Sequence, residues 1–71
     1  MGRYDDVEVF WDAILSEQPT EVLAAWRSLD GDERRDVEVH LTRMSDPAEG
    51  FAEVQQASAR FALATIRGAA D

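Results

Sequence analysis

Asp30-Gly31-Asp32-Glu33-Arg34-Arg35-Asp36-Val37-Glu38-Val39-His40-Leu41-Thr42-Arg43-Met44-Ser45-Asp46-Pro47-Ala48-Glu49 holds two helix starts and one helix body. In the first start, Asp30 stands three residues ahead of Glu33. At that spacing the Asp carboxylate accepts orphan backbone N–H groups, and Glu reaches back to the cap's own N–H. Val37, Leu41 and Met44 follow at i, i+4 and i+7 on one helical face, with His40 on the same side. The second start combines an Asp46 cap, Pro47 at the first helical position and Glu49 at the third. Proline suits that place because its missing N–H would be unpaired there anyway. The spacing predicts a helix over 31–45 and another from 47 to about 67, with Gly68 as its stop.

Toward the N-terminus the same signals recur. Asp5 precedes Glu8 by three residues, and Val7, Phe10, Trp11 and Ile14 repeat at helical spacing, widened by Leu15. This predicts a helix over 6–17. Pro19 opens the next, with Glu21 at the positive end of its dipole and Val22, Ala25, Trp26 and Leu29 as its stripe, over 19–29. Val7-Glu8-Val9-Phe10 and Val37-Glu38-Val39 alternate as strands do, but each is embedded in a longer helical pattern behind a cap. The expected fold is all-α, a compact bundle of four helices in one domain over 1–71.

Composition excludes more than it identifies. Seventy-one residues make one small core, in which burial and conformational entropy nearly cancel. Cysteine is absent, which removes disulfides and thiolate metal sites and fits a reducing cytoplasm. That leaves good helix packing, self-association, or both. A net charge of −8 repels nucleic-acid phosphates and anionic lipid surfaces, so neither nucleic acid nor membrane is expected as a direct partner. No apolar run approaches the roughly 20 residues of a spanning helix. Met1-Gly2-Arg3-Tyr4-Asp5-Asp6 lacks the apolar stretch of a signal peptide and the Ser or Thr of a myristoylation signal. A cytoplasmic protein is expected.

Charge is unevenly placed. Residues 1–53 carry fourteen acids and five arginines, whereas 54–71 carry Arg60, Arg67 and Asp71. The last helix is apolar around much of its circumference, as buried helices are. Phe51, Val54, Ser58, Phe61 and Thr65 share one edge. Ala59, Ala62, Leu63 and Ile66 form a second face, too wide for a single partner helix. Either this helix is the domain's central element, or that second face meets a protein partner, another chain or a second copy in a homodimer. Val9 and Val39, off their helices' main stripes, add weak support for an extra interface.

Catalytic chemistry has few carriers. An activated nucleophile needs a base to orient it, yet Cys and Lys are absent and His40 is the only imidazole. Ser16, Ser28, Ser45 and Ser58 sit in no nucleophile motif. Gly2, Gly31, Gly50 and Gly68 are isolated, so no phosphate-cradling loop forms. Asp36 lies four residues before His40 and Glu33 one turn further back, so the three share a helix side. They are the candidate metal ligands, a thin set for any metal. The simpler role for His40 is a half-buried ring at the core edge, held by Asp36 or a backbone carbonyl. No cofactor and no enzymatic activity follow from these residues.

Asp12, Glu17, Glu21, Asp32, Asp36, Glu38 and Glu53 read first as a solvated face that maintains solubility. As a function they would form a surface for a basic protein, or mimic nucleic-acid phosphate. Trp11 and Trp26 fall on buried stripes. Arg34-Arg35, flanked by acids, reads as helix-surface ion pairs.

Trp26, Leu29-Asp30, Glu33-Arg34, Val37, His40-Leu41 and Arg43-Met44 form a W-x2-L-D-x2-E-R-x2-V-x2-H-L-x-R-M core, ahead of a helix rich in Gln, Ala and Arg (Gln55 to Arg60). This resembles short all-helical bacterial proteins of unassigned function, over about two-thirds of the chain. The resemblance implies a recurring local arrangement of Asp30, Glu33, His40 and Arg43; it brings no activity, cofactor or catalytic residue. The expected function is a non-enzymatic, self-associating protein-interaction or regulatory module. A metal- or small-ligand protein centred on His40 and Asp36, or an acidic nucleic-acid mimic, are the alternatives.

Overall fold

The first three helices begin at acidic or proline signals and end where a serine intervenes. The computed structural model describes residues 6–69. It contains α1 (Val7–Ile14), α2 (Pro19–Arg27), α3 (Gly31–Met44) and α4 (Glu53–Ala69), with a 3-10 turn at Pro47–Glu49 between the last two. The fold is all-α, with no strand among the described residues.

Asp6 caps α1 by accepting the Glu8 N–H at 2.9 Å. The cap of α1 is thus Asp6; Asp5, the partner of Glu8 in the expected box, lies outside the described residues. α3 carries a complete capping box, with Glu33 N–H to Asp30 at 2.8 Å and Asp30 N–H to Glu33 at 3.0 Å. Three helices end alike: Ser16, Ser28 and Ser45 each donate a hydroxyl to the carbonyl three residues back, at 2.6 to 2.8 Å. Those bonds satisfy carbonyls that the helix end orphans. They also stop α1 at Ile14 and α2 at Arg27, two to three residues short of the predicted 17 and 29. After α1 the chain reverses through Glu17 in the left-handed region (φ 58°), whose carboxylate accepts the Ser58 hydroxyl of α4 at 3.1 Å.

The 47–67 helix is corrected most. Pro47–Glu49 makes a single 3-10 turn, and Gly50 then enters the left-handed region at φ 82°. Glycine alone adopts that conformation at no steric cost. α4 restarts at Glu53, where Gln55 accepts the Ala52 N–H at 3.3 Å and Gln56 donates to the Phe51 carbonyl at 2.7 Å. Gly68 does not stop α4, which continues to Ala69.

The core is built from one face of each helix. Ile14, Val22 and Leu41, from α1, α2 and α3, are fully buried. The α3 stripe of Val37, Leu41 and Met44 is buried as its spacing predicts. From α4 come Ala59, Ala62, Leu63 and Ile66, all buried. These are the four residues considered for a partner, and their face is instead the domain's own core. The other edge, Phe51, Val54, Ser58, Phe61 and Thr65, is half-buried or exposed, with Val54 75% exposed. The two alanines are 0% exposed, and their small side chains let α4 lie close to its neighbours.

α4 packs against both α2 and α3, and α1 packs on α2. The helices thus run α1, α2, α4, α3 around the bundle, and the ring does not close tightly between α1 and α3. The radius of gyration is 11.4 Å, close to the roughly 11 Å of a compact chain of this length.

Candidate interaction groove between α1 and α3

The loose side of the ring holds a concavity. A groove of about 400 Å³ is lined by Val7, Phe10 and Trp11 from α1, Leu29 from the turn before α3, and Glu33, Asp36 and Val37 from α3. Its origin lies in the width of the α1 stripe. Helical spacing marks Val7, Phe10, Trp11, Ile14 and Leu15 as the apolar stripe, but of α1 only Phe10, Ala13 and Ile14 are buried. Trp11 and Leu15 are half-buried, and Val7 is 68% exposed. The uncovered edge of the stripe becomes the groove wall.

A ladder of rings runs beside it. Phe10 and Trp11 meet edge-on at 5.3 Å between centroids, Trp11 and His40 are tilted at 4.9 Å, and His40 and Phe51 are 6.5 Å apart. Such contacts fall in the favourable range for aromatic pairs. His40 is exposed rather than half-buried, its ring against Trp11. It bridges α1 to α3 where their packing is thinnest.

The three candidate ligands serve three different tasks. His40 holds the ring ladder, and Glu33 closes the capping box of α3. Asp36 sits exposed on the groove and makes no hydrogen bond or ion pair with any other described residue. Among the described residues no three His, Asp or Glu side chains converge as a metal would require.

Arg34 does not pair with the flanking acids. Its guanidinium lies 5.4 Å from the Trp26 ring centroid, and its Nε donates to the Trp26 carbonyl at 3.3 Å. This cation–π contact and hydrogen bond hold the start of α3 to the end of α2. They also commit Arg34, next to Glu33 in the chain, to Trp26. The groove is therefore apolar on its floor and acidic on its α3 bank. Val7, Trp11 and Leu29 lie on predicted core stripes, so periodicity alone hides their position on the groove; an apolar stripe wider than its neighbours can cover is the signal that would have revealed it.

These features define a small all-α bundle with an open acidic groove. Comparison with family models, with curated proteins and with solved structures gives no match for the chain. No helix among the described residues is long and apolar enough to cross a membrane.

Proposed function

We propose that this chain is a non-enzymatic protein-interaction module whose working surface is the α1–α3 groove. The observation that carries the reading is the exposed Val7 beside half-buried Trp11 and Leu29, around a volume of about 400 Å³. That size lies within the range of built binding sites. A binding role is also consistent with the hydroxyls. Ser16, Ser28 and Ser45 are committed to backbone carbonyls, so none of these three is held by a base as a nucleophile would be.

The partner we favour is a different chain. Two copies meeting groove to groove would set Glu33 and Asp36 against their own counterparts, and like charges at close range are unfavourable. The Ala59, Ala62, Leu63 and Ile66 face is occupied by the core, so pairing through it would require the bundle to open.

A photo-crosslinking amino acid at Val7, with another at Ala57 on the exposed side of α4, tests the reading in the cells that produce the protein. Crosslinks to another protein from position 7 and not from 57 support it. Equal crosslinking from both positions, or from 57 alone, refutes it.

A further inference from the structure

We infer that the occupant of the groove is the apolar face of a basic amphipathic helix from another protein. This rests on the groove being the working surface and adds the chemistry of what fills it.

The floor supplies the first requirement. Phe10, Trp11, Leu29 and Val37 are apolar, and Val7 extends that surface outward at 68% exposure. The walls are two helices, and a cleft between helices is the kind of site into which a third lays its apolar stripe. Charge sets the second requirement. From its cap to its end, α1 carries Asp6, Glu8 and Asp12 and no basic residue. On the facing bank, Glu33 and Asp36 line the groove while Arg34 is drawn off to Trp26. The α3 bank is thus acidic where it lines the groove, the α1 residues that line it are apolar, and Asp36 has no cation among the described residues. A partner with Lys or Arg flanking its apolar stripe neutralises these charges; an acidic or phosphate-bearing surface would raise the local repulsion.

Calorimetry and amide chemical-shift mapping on the full chain test this with three synthetic amphipathic helices. All share a leucine face; their polar face is lysine, glutamine or glutamate. The lysine peptide is expected to bind and to shift amides of α1 and the first half of α3. The glutamine peptide should bind several-fold more weakly, and the glutamate peptide not at all. Asp36→Asn is expected to weaken the lysine peptide about two- to fivefold, the effect of one solvent-facing ion pair, and to leave the glutamine peptide unchanged. Glu49→Gln removes the same charge beyond the far end of α3. The helix from Asp36 to Met44 alone spans about 12 Å, more than the roughly 8 Å screening length at physiological salt, so this variant should bind almost as the parent does. Val7→Gln, on an exposed position, keeps the fold and should weaken the lysine and glutamine peptides alike.

Equal losses from Asp36→Asn and Glu49→Gln would mean diffuse charge attraction and overturn the inference. Equal binding of the lysine and glutamine peptides at the groove would also overturn it, while leaving the groove as the working surface. Lysine-peptide binding with shifts confined to α4 would overturn both. Absence of binding by all three rejects the basic helix, and crosslinking from position 7 then decides the fate of the groove by itself.

Discussion

Replacing Gly50 by alanine asks whether the chain truly breaks between α3 and α4. Gly50 sits at φ 82°, and a Cβ added there would meet nothing within 4 Å. The cost is therefore conformational and not steric. Left-handed backbone costs an L-residue about 1–2 kcal/mol. Alanine recovers about 0.4–1 kcal/mol through the smaller entropy it loses on folding. The expected net loss is about 1 kcal/mol, or a fall in Tm of about 4–8 °C for a domain of this size. Gly68→Ala is the matched control. It too has nothing within 4 Å, but it lies inside α4 with no positive φ. There alanine's helix preference should raise stability by about 0.5 kcal/mol, the lower part of the propensity difference, because the helix ends one residue later. Urea unfolding followed by circular dichroism reads both variants, with unchanged m showing that stability and not compactness has moved. A Gly50→Ala variant as stable as the parent or more so, with increased helical ellipticity, would refute the reasoning. Residues 47–69 would then be able to form the single helix that their start signals predict.

Three further outcomes follow from the capping and the packing. Asp30→Ala removes one half of the α3 capping box and should cost about 1 kcal/mol in the same urea assay. Leu41→Ala, at a fully buried position, should cost about 2–5 kcal/mol, whereas Val7→Gln on the exposed groove wall should stay within about 0.5 kcal/mol of the parent. A large loss from Val7→Gln would mean that Val7 belongs to the core and not to an open surface.

The local signals that rest on short-range chemistry were legible from the residues alone. The Asp30–Glu33 box, the Pro19 start and the Val37–Leu41–Met44 stripe each involve groups within two turns of one another, and each stands in the structure where its spacing places it. Boundaries governed by competing local choices were not. The serine hydroxyls that end α1 and α2 early, and the left-handed Gly50 that splits 47–67, exploit options that a cap motif does not rank against one another. Gly68 shows the converse, a glycine with helix-ending character that lies inside a helix.

Which apolar surfaces meet was decided by the tertiary structure alone. Composition marks α4 as having more apolar face than one neighbour can cover, but not whether the surplus turns inward. Packing between α2 and α3 takes Ala59, Ala62, Leu63 and Ile66 inward, because two small alanines allow close approach. The surface left open is on α1 instead, where Val7 and Trp11 sit on the edge of a stripe that periodicity assigns to the core. Glu33, Asp36 and His40 were recognisable as sharing one side of a helix. Glu33 takes the cap that its spacing predicts, whereas only the placement of α1 leaves Asp36 on a groove and sets the His40 ring against Trp11. Periodicity records how apolar a face is. How much of it is covered depends on where the other helices lie, and that follows from contacts between residues far apart in the chain.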